Sequence, residues 1–230
     1  MKTIGLLGGM SWESTALYYQ WINELVKEQL GGLHSAKIAM VSVDFQEIEE
    51  LQHKKKWEES GEILSKAAQS VEAAGADFLV ICTNTMHKVA PQIEETIRIP
   101  LLHIADATAE EIKKRRMKTV GLLGTKFTME QEFYAGRLQE RHGLKLLIPS
   151  QEDREIVHRV IYEELVLGKV KEKSRAEYLR IMNKLREEGA EGVIEGCTEI
   201  VMLVEQRHTE IPLFDTTAIH ARKAVEKALA

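Results

Sequence analysis

Three short segments of the sequence occur twice in the same order, and this internal repeat restricts the possible folds more than any other feature. The second copies follow the first by 116, 114 and 112 residues: TIGLLG at 3–8 and TVGLLG at 119–124, GAD at 75–77 and GAE at 189–191, IPLL at 99–102 and IPLF at 211–214. One such match could arise by chance, but three collinear matches predict a duplicated structural unit. Each copy has about 110 residues, which is a typical domain size.

Each half of the chain alternates short β-rich runs with longer amphipathic stretches. Helical periodicity is visible near residues 12–30, 58–74 and 86–96. Buried strands are predicted in the first half at Lys2–Leu7, Lys37–Ser42, Phe78–Cys82 and Leu101–Ile104, and in the second half at Thr119–Leu123, Lys145–Ile148, Gly192–Glu195 and Pro212–Phe214. Such alternation is typical of parallel sheets covered by helices, so the sequence predicts an α/β fold with two similar parallel-sheet domains.

The repeat also predicts where the domains and some helices begin. An N-terminal α/β domain is expected at residues 1–107 and a C-terminal α/β domain at 108–214, with a last helix at 215–230 that packs back on the first domain. Ligands of such folds bind beyond the carboxyl ends of the strands, so the active site is expected in the cleft between the domains. Helix starts are predicted from three capping boxes: Thr128 with Gln131, Ser150 with Asp153, and Ser174 with Glu177.

Composition argues against several classes of function. The net charge of −5 provides no basic surface for nucleic acid, and no stretch approaches the roughly 20 apolar residues of a membrane span. Gly5-x-x-Gly8-Gly9 lacks the spacing of a dinucleotide fingerprint, and the two cysteines and scattered histidines lack metal-ligand spacing. We therefore expect neither a cofactor nor a metal. Two cysteines cannot form a disulfide framework, so a cytoplasmic location is expected.

Both cysteines lie at the carboxyl end of the corresponding predicted strand, one in each half. Aligning the halves from the shared Gly-Ala pairs Cys197 with Thr83 and Cys82 with Gly196. Because side chains alternate across a strand, Thr83 should share the orientation of Cys197, while Cys82 should face the sheet packing. A one-residue bulge would instead pair Cys82 with Cys197. Thr83 is thus the preferred counterpart of Cys197, and Cys82 is the alternative.

Three motifs resemble those of the aspartate/glutamate racemase family, and the resemblance runs the whole length of the chain. They are Gly5-Leu6-Leu7-Gly8-Gly9-Met10, Asn84-Thr85 followed by His87, and Gly196-Cys197-Thr198-Glu199, of which the last is the most specific. In the family pattern a catalytic cysteine directly precedes Asn-Thr, whereas Thr83 precedes Asn84-Thr85 here. The family motif and the internal repeat therefore indicate the same first catalytic position, Thr83.

The resemblance implies a cofactor-independent racemase that moves the α-proton of an amino acid with two acid/base groups, Cys197 and Thr83. A free thiol needs help to ionise, and a helix beginning at Thr198-Glu199 would provide it through its backbone N–H groups. Donors at strand ends or helix starts could stabilise the enolate-like carboxylate of the transition state. The candidate substrate-binding residues are Met10, Ser11, Gln52, Asn84, Thr85, Thr125, Thr128, Thr198 and Glu199.

The resemblance implies aspartate or glutamate as the substrate, but the usual side-chain clamp is missing. Aspartate-specific members are expected to have an Arg after the second strand and a Lys in a helix reading Ile-Tyr-Glu-x-x-Lys. Residues 44–48 contain no Arg, and Val166 stands at the Lys position after Ile161-Tyr162-Glu163. Gln52, His53 or a nearby Lys could replace the clamp. Otherwise the pocket is more neutral and accepts a wider range of amino acids.

Other interpretations stay open at this point. A decarboxylase or isomerase of the same superfamily could use Cys197 alone, and an amino-acid-binding protein could have lost the activity. Cys197 could also be a packed core cysteine, Thr83 a helix N-cap, and His87 a structural histidine. Finally, a homodimer is expected from an apolar face of the first predicted helix that contains Trp12, Tyr18, Tyr19 and Trp21.

Overall fold

Two separate sheets form, one in each half of the repeat, and every strand pair in them is parallel. The computed structural model describes residues 1–230 and divides into two units. The first unit contains residues 1–104 and 220–230, and the second contains residues 105–219. The domain boundaries expected from the repeat lay between residues 107 and 108 and between residues 214 and 215. The fold is therefore an α/β fold with two parallel-sheet units, as the sequence predicts.

The sheet of the first unit has three strands in the order β2-β1-β3. Both faces of β1 and β3 are buried, which is usual for parallel strands that helices cover on both sides. The elements in chain order are β1 (Ile4–Gly8), α1 (Trp12–Leu30), β2 (Ile38–Ser42), α2 (Phe45–His53), α3 (Trp57–Ala73), β3 (Phe78–Ile81), a 3-10 turn (Thr85–Val89) and α4 (Ala90–Glu94).

The sheet of the second unit has four strands in the order β5-β4-β6-β7. Its elements are α5 (Ile104–Lys114), β4 (Thr119–Gly124), α6 (Lys126–Glu130), α7 (Glu132–His142), β5 (Lys145–Leu147), α8 (Gln151–Glu163), a 3-10 turn (Leu165–Leu167), α9 (Glu172–Glu187), β6 (Val193–Gly196), α10 (Ile200–Leu203), a 3-10 turn (Gln206–His208), β7 (Leu213–Asp215) and α11 (Thr216–Leu229). From His220 onward α11 belongs to the first unit, where Ala221 and Val225 pack in one cluster with Ile4 and Leu6. No helix of the chain has the length and apolar character needed to cross a membrane.

The repeated Gly-Ala-acid segment forms the same turn in both units, immediately before β3 and β6. Asp77 accepts a hydrogen bond from the Thr3 N–H at 2.6 Å, and Glu191 accepts one from the Thr119 N–H at 2.8 Å. The glycine two positions earlier has a φ of 89° in the first copy and 104° in the second, a backbone region that favours glycine. The sequence match thus reflects one local structure that is made twice.

The first unit lacks the fourth strand predicted at Leu101–Ile104. A single parallel bridge joins Leu101 to Leu79, and the Leu102 N–H donates to the Leu79 carbonyl at 2.8 Å. The strand prediction is wrong beyond this bridge: no further residue pair forms, and α5 begins at Ile104, the last residue of the predicted strand. The second unit does form the corresponding strand, β7.

The helix predicted near residues 86–96 is divided in two. A 3-10 turn covers Thr85–Val89, and α4 follows at Ala90–Glu94. Pro91 lies in the first turn of α4, where its missing N–H leaves no unpaired donor. Because Pro91 cannot donate to the preceding turn, the two segments do not merge into one α-helix.

Only one of the three predicted capping boxes caps a helix. The Ser150 hydroxyl accepts the Asp153 N–H at the start of α8, as predicted. Thr125 rather than Thr128 caps α6, because β4 ends immediately before it and the helix starts at once. Ser174 lies inside α9, which begins two residues earlier, and its hydroxyl donates to a carboxylate outside that helix. These two cap predictions are wrong because α6 and α9 begin before Thr128 and Ser174.

The apolar face of α1 is smaller than the sequence analysis predicts. Tyr18 is fully buried, and its hydroxyl lies 2.8 Å from Nδ1 of His220. Trp21 is half-buried, while Trp12 and Tyr19 are 66% and 52% exposed. A contact between copies through α1 would therefore involve Trp12 and Tyr19, and not Tyr18.

Candidate active site

The strands that carry the two cysteines have the same register in both sheets. Leu7 lies opposite Ile81 in the first sheet, and its repeat equivalent Leu123 lies opposite Glu195 in the second. Both ladders run up to this point without an inserted residue. The register therefore matches the ungapped alignment and contains no bulge that would shift Cys82. Thr83 thus occupies in the first unit the position that Cys197 occupies in the second.

Cys82 lies in the core of the first unit. It is fully buried in the cluster that contains Ile4, Phe78 and Val80, and its sulfur is 4.0 Å from the Val80 carbonyl oxygen. Burial raises the pKa of the Cys82 thiol far above its usual value. A neutral, enclosed thiol behaves as a small apolar side chain rather than as a base.

Cys197 lies beside a potential base. It is partly exposed, and its thiol donates a hydrogen bond to Oε2 of Glu199 at 2.9 Å. Burial, the negative charge of Glu199 and the hydrogen bond to that carboxylate raise the pKa of Cys197 well above its usual value. A hydrogen bond from the Glu199 backbone has the opposite but smaller effect.

The predicted helix at Thr198-Glu199, which was expected to promote ionisation of Cys197, does not begin there. Instead, α10 begins at Ile200 and spans only four residues, with Glu199 at its N-cap. The expectation of a lowered pKa is wrong because burial and the adjacent carboxylate outweigh the short helix end. In this state Cys197 is a thiol whose proton already points at Glu199.

Thr83 is partly exposed between two buried neighbours, Cys82 and Asn84, just as Cys197 is partly exposed between Gly196 and Thr198. Its backbone carbonyl lies 2.8 Å from Nδ1 of His87. Asn84, rather than Thr83, stands at the N-cap of the following 3-10 turn. The interpretation of Thr83 as a helix cap is therefore wrong, and its hydroxyl is available for another role.

The predicted binding residues of the first unit follow neighbouring strands. Met10 and Ser11 come after β1, and Asn84 and Thr85 come after β3, so they lie at the carboxyl edge of the first sheet. Ser11 caps α1, and Met10 is buried. Gln52 is buried on α2, where its amide nitrogen lies 2.9 Å from the sulfur of Met86 in the 3-10 turn after β3.

Buried threonines surround the carboxyl edge of the second sheet. The hydroxyls of Thr125 and Thr128 are 3.3 Å apart after β4, and those of Thr198 and Thr217 are 3.2 Å apart after β6 and β7. Sequence reasoning missed Thr217. The signal was present, because Thr217 follows a predicted strand in the same way that Thr125 and Thr198 do. Glu199, predicted to bind substrate, lies against Cys197.

The fold matches that of structures described as Asp/Glu racemases. A family model for Asp/Glu/Hydantoin racemases matches residues 7–224. The chain therefore belongs to the Asp/Glu/Hydantoin racemase family, and it is an enzyme of the racemase type.

Individual relatives match the chain over almost its whole length. A broad-specificity amino-acid racemase from Bacillus subtilis (strain 168), RacX, is 23% identical over 239 residues, covering 99% of this chain and 98% of RacX. A crystal structure from Yersinia pestis, described as a candidate Asp/Glu racemase, is 56% identical with a TM-score of 0.96, covering 100% of both chains. An aspartate racemase homologue from Pyrococcus horikoshii OT3 is 38% identical with a TM-score of 0.88, also covering 100% of both chains.

Proposed function

We propose that this enzyme interconverts L- and D-amino acids, aspartate and glutamate foremost, by a two-base transfer of the α-proton that needs no cofactor. The two acid/base positions are Cys197 and Thr83. The observation that carries the proposal is their equivalence: they follow β6 and β3 in the same register, and each is partly exposed between buried neighbours. Racemisation requires a proton to leave one face of the α-carbon and another to arrive at the opposite face, which a pair of equivalent positions can support.

On the Cys197 side, Glu199 is the group that receives the thiol proton. The hydrogen bond of 2.9 Å already connects the thiol to the carboxylate, so transfer along it leaves a thiolate and a neutral Glu199. The thiolate then removes the α-proton of the L-enantiomer, while the C–H electron pair moves into the substrate as an enolate-like carboxylate. Neutralising Glu199 also removes the negative charge that opposes ionisation of Cys197.

On the Thr83 side, a hydroxyl is a far weaker acid than a thiol, so Thr83 acts as a relay. It donates its proton toward the α-carbon and takes one from a water molecule in the same step. The relay avoids an alkoxide, which would be costly without an adjacent base. The balance is one α-proton taken by Cys197 and one proton delivered from water. The proton that Glu199 then releases to solvent neutralises the hydroxide left by the relay, so the L-enantiomer becomes the D-enantiomer with no net change in the enzyme.

The enolate-like carboxylate requires hydrogen-bond donors that are fixed before the reaction begins. In this proposal they come from Asn84 and Thr85 after β3, and from Thr125, Thr128 and Thr198 after β4 and β6. All five side chains are buried and belong to residues at the carboxyl edges of the sheets. Met10 and Ser11 are proposed to lie against the substrate from the segment after β1.

Two substrate ranges are proposed, because the Arg and Lys expected to bind the side-chain carboxylate of the substrate are absent. Aspartate and glutamate are supported by the family assignment. A wider range that includes neutral amino acids is supported by the similarity to RacX and by Gln52, an uncharged and buried side chain proposed to face the substrate. A decarboxylase or isomerase that uses Cys197 alone remains the alternative activity.

The proposed function is tested by following α-proton exchange in D2O by NMR, with both enantiomers of aspartate, glutamate, homoserine and methionine. We expect exchange and racemisation of aspartate and glutamate, with equal kcat/KM in the two directions because the enantiomers have equal free energy. Faster turnover of homoserine or methionine would establish the wider range. Turnover of a malonate or maleate without α-proton exchange would establish the alternative activity, and binding of amino acids without exchange would show that racemisation is absent.

Replacing Glu199 with glutamine should change the pH dependence of the reaction. The variant Glu199→Gln keeps the side-chain size but cannot take the Cys197 proton, so kcat/KM at pH 7 should fall by about 10²-fold. Without the negative charge, Cys197 should ionise at lower pH than in the wild type, and activity should rise as pH increases toward 10. A pH–rate profile measures this. The control is Glu210→Gln, an exposed glutamate of the second unit, and an unchanged profile for Glu199→Gln would contradict the proposed proton acceptor.

We further propose a homodimer that forms through the exposed Trp12 and Tyr19 of α1. Both aromatic side chains are more than half exposed and lie seven residues apart on one helix face, where together they offer a contact surface to a second copy. Sedimentation velocity of the wild type and of Trp12→Ala measures the association. A cytoplasmic location stays a prediction.

A further inference from the structure

The imidazole of His87 is held in one tautomer by its two hydrogen bonds. The ring is buried, Nδ1 lies 2.8 Å from the Thr83 carbonyl oxygen, and Nε2 accepts the Ile104 N–H at 3.2 Å. An amide N–H can only donate, so Nε2 must present its lone pair. The hydrogen of the neutral ring is then on Nδ1, and it is donated to the Thr83 carbonyl.

Two other histidine rings pack against His87. His103 and His220 face it, with ring centroids at 4.5 and 5.9 Å. His220 is bound in a related way, since its Nε2 lies 2.8 Å from the Leu102 carbonyl oxygen and its Nδ1 lies 2.8 Å from the Tyr18 hydroxyl. Burial lowers the pKa of His220 to about 4. A second proton on His87 would displace the Ile104 N–H and add a charge beside these rings.

The hydrogen bond to Thr83 has no counterpart in the second unit. The repeat places Val201 at the position of His87, and valine has no ring nitrogen. There the Cys197 carbonyl accepts the backbone N–H of Ile200 at 3.1 Å instead. The ring donor is therefore confined to the half of the protein that carries a threonine in place of a cysteine.

We propose that His87 is a positioning residue for Thr83, and that its Nδ1–H fixes the backbone from which the Thr83 hydroxyl reaches the substrate. This inference rests on the proposed racemisation by Thr83 and Cys197. A thiolate is a strong base and tolerates some displacement, whereas a hydroxyl relay works only when donor, hydroxyl and acceptor are aligned. A shift of about 1 Å in such an arrangement can lower a rate by about 10²-fold. The backbone hydrogen bond from the His87 N–H to the Asn84 carbonyl, at 3.1 Å, ties down the next residue of the same segment.

The test separates the two sides of the reaction by measuring α-proton exchange and racemisation in the same D2O experiment with L-aspartate. Exchange without inversion reports Cys197 alone, while inversion also needs Thr83. We expect His87→Ala to lower inversion by about 10²-fold and to keep the exchange of L-aspartate within about 3-fold of the wild type. KM should change little, because His87 does not touch the substrate in this proposal.

Two conservative variants make the test specific to the Nδ1 donor. Asparagine places an amide N–H near the position of Nδ1, whereas glutamine places it near Nε2. We therefore expect His87→Asn to recover most of the inversion and His87→Gln to resemble His87→Ala. The packing control is His103→Phe, which keeps a ring against His87 and should leave the ratio of exchange to inversion unchanged. Equal losses of exchange and inversion in His87→Ala, or equal effects of asparagine and glutamine, would overturn the inference.

An independent readout is 15N NMR of histidine-labelled protein, in which the signal missing from His87→Asn identifies His87. We expect a protonated Nδ1 and an unprotonated Nε2 at pH 8, above the ordinary histidine pKa of about 6.5. A neutral ring protonated at Nε2 would overturn the inference whatever the activity. A wild-type protein that exchanges no α-proton of any amino acid would instead overturn the proposed function.

Discussion

Racemisation should fall by about 10³-fold or more when Cys197 is replaced with alanine, and it should stay near the wild-type rate when Cys82 is replaced in the same way. Both residues are free cysteines at the ends of equivalent strands, so they form a matched pair. Cys197 is partly exposed and bonded to Glu199, whereas Cys82 is fully buried among apolar side chains. Burial raises the pKa of Cys82 so far that no thiolate is available.

Two rates are measured in D2O: the conversion of L- to D-aspartate and the exchange of the α-proton. Thr83→Ala completes the series: it should abolish most inversion but retain exchange of the L-enantiomer at Cys197. Cys82→Ala serves as the control and should cost about 1 kcal/mol of stability through the lost packing, without affecting turnover. Loss of inversion in Cys82→Ala together with normal inversion in Thr83→Ala would show that Cys82, and not Thr83, is the first acid/base group.

The second prediction with a large expected effect concerns the free energy of unfolding and the buried side chain of Glu195. This carboxyl group is buried on β6, its Oε1 has no hydrogen-bond partner, and it lies opposite Asp215 of β7 in the strand register. Burial, and then the negative charge of Asp215, raise the pKa of Glu195 well above its usual value. The equivalent position of the first unit is Ile81, which shows that this site of the repeat accepts an aliphatic side chain.

The sign of the pH dependence follows from the proton count. Below the ordinary carboxyl pKa of about 4.5, Glu195 is protonated in both the folded and the unfolded chain. As pH rises, the unfolded chain releases this proton first, so the free energy of unfolding decreases until the folded pKa is reached. Each unit of difference between the two pKa values costs about 1.4 kcal/mol of stability at high pH.

We therefore expect Glu195→Gln to be more stable than the wild type at pH 8 and to differ less from it at pH 5. Glu195→Ile should be more stable still, by about 1–3 kcal/mol at pH 8, because it also removes the unsatisfied polar group. Urea denaturation at both pH values measures these differences. Glu187→Gln, on the exposed surface of α9, is the control and should have little effect. A Glu195→Ile variant that is less stable than the wild type at pH 8 would show that the carboxyl group has a stabilising partner.

The two structural units followed from patterns that are visible along the chain. The alternation of apolar runs located β1, β3, β4 and β6 to within a residue or two, because buried parallel strands are continuous apolar segments. The fourth strand of the first unit could not be predicted from its match to β7. In both units a helix begins three residues after the leucine of this Ile-Pro-Leu segment, at Ile104 and at Thr216, but only in the second unit do the residues in between pair with a neighbouring strand.

The candidate site also has features that could be predicted from the sequence and features that could not. The pairing of Thr83 with Cys197 was visible in the sequence, because the repeat fixes the alignment and a strand has a side-chain period of two. The helix expected to activate Cys197 was not borne out, and neither were the caps at Thr128 and Ser174. Each of these errors concerns the residue at which a helix begins, which depends on where the preceding element ends.

The sequence by itself determined the α/β class, the two copies of the fold, and the pairing of Thr83, rather than Cys82, with Cys197 in the repeat, because these depend on order and spacing along the chain. Only the tertiary structure decided that Cys197 is a protonated thiol beside Glu199, that Glu195 is buried without a partner for one oxygen, and that His87 holds the Thr83 carbonyl. Protonation depends on burial and on distances of a few ångströms between side chains. Residues far apart in the sequence, such as His87 and Ile104, acquire those distances only when the chain has folded.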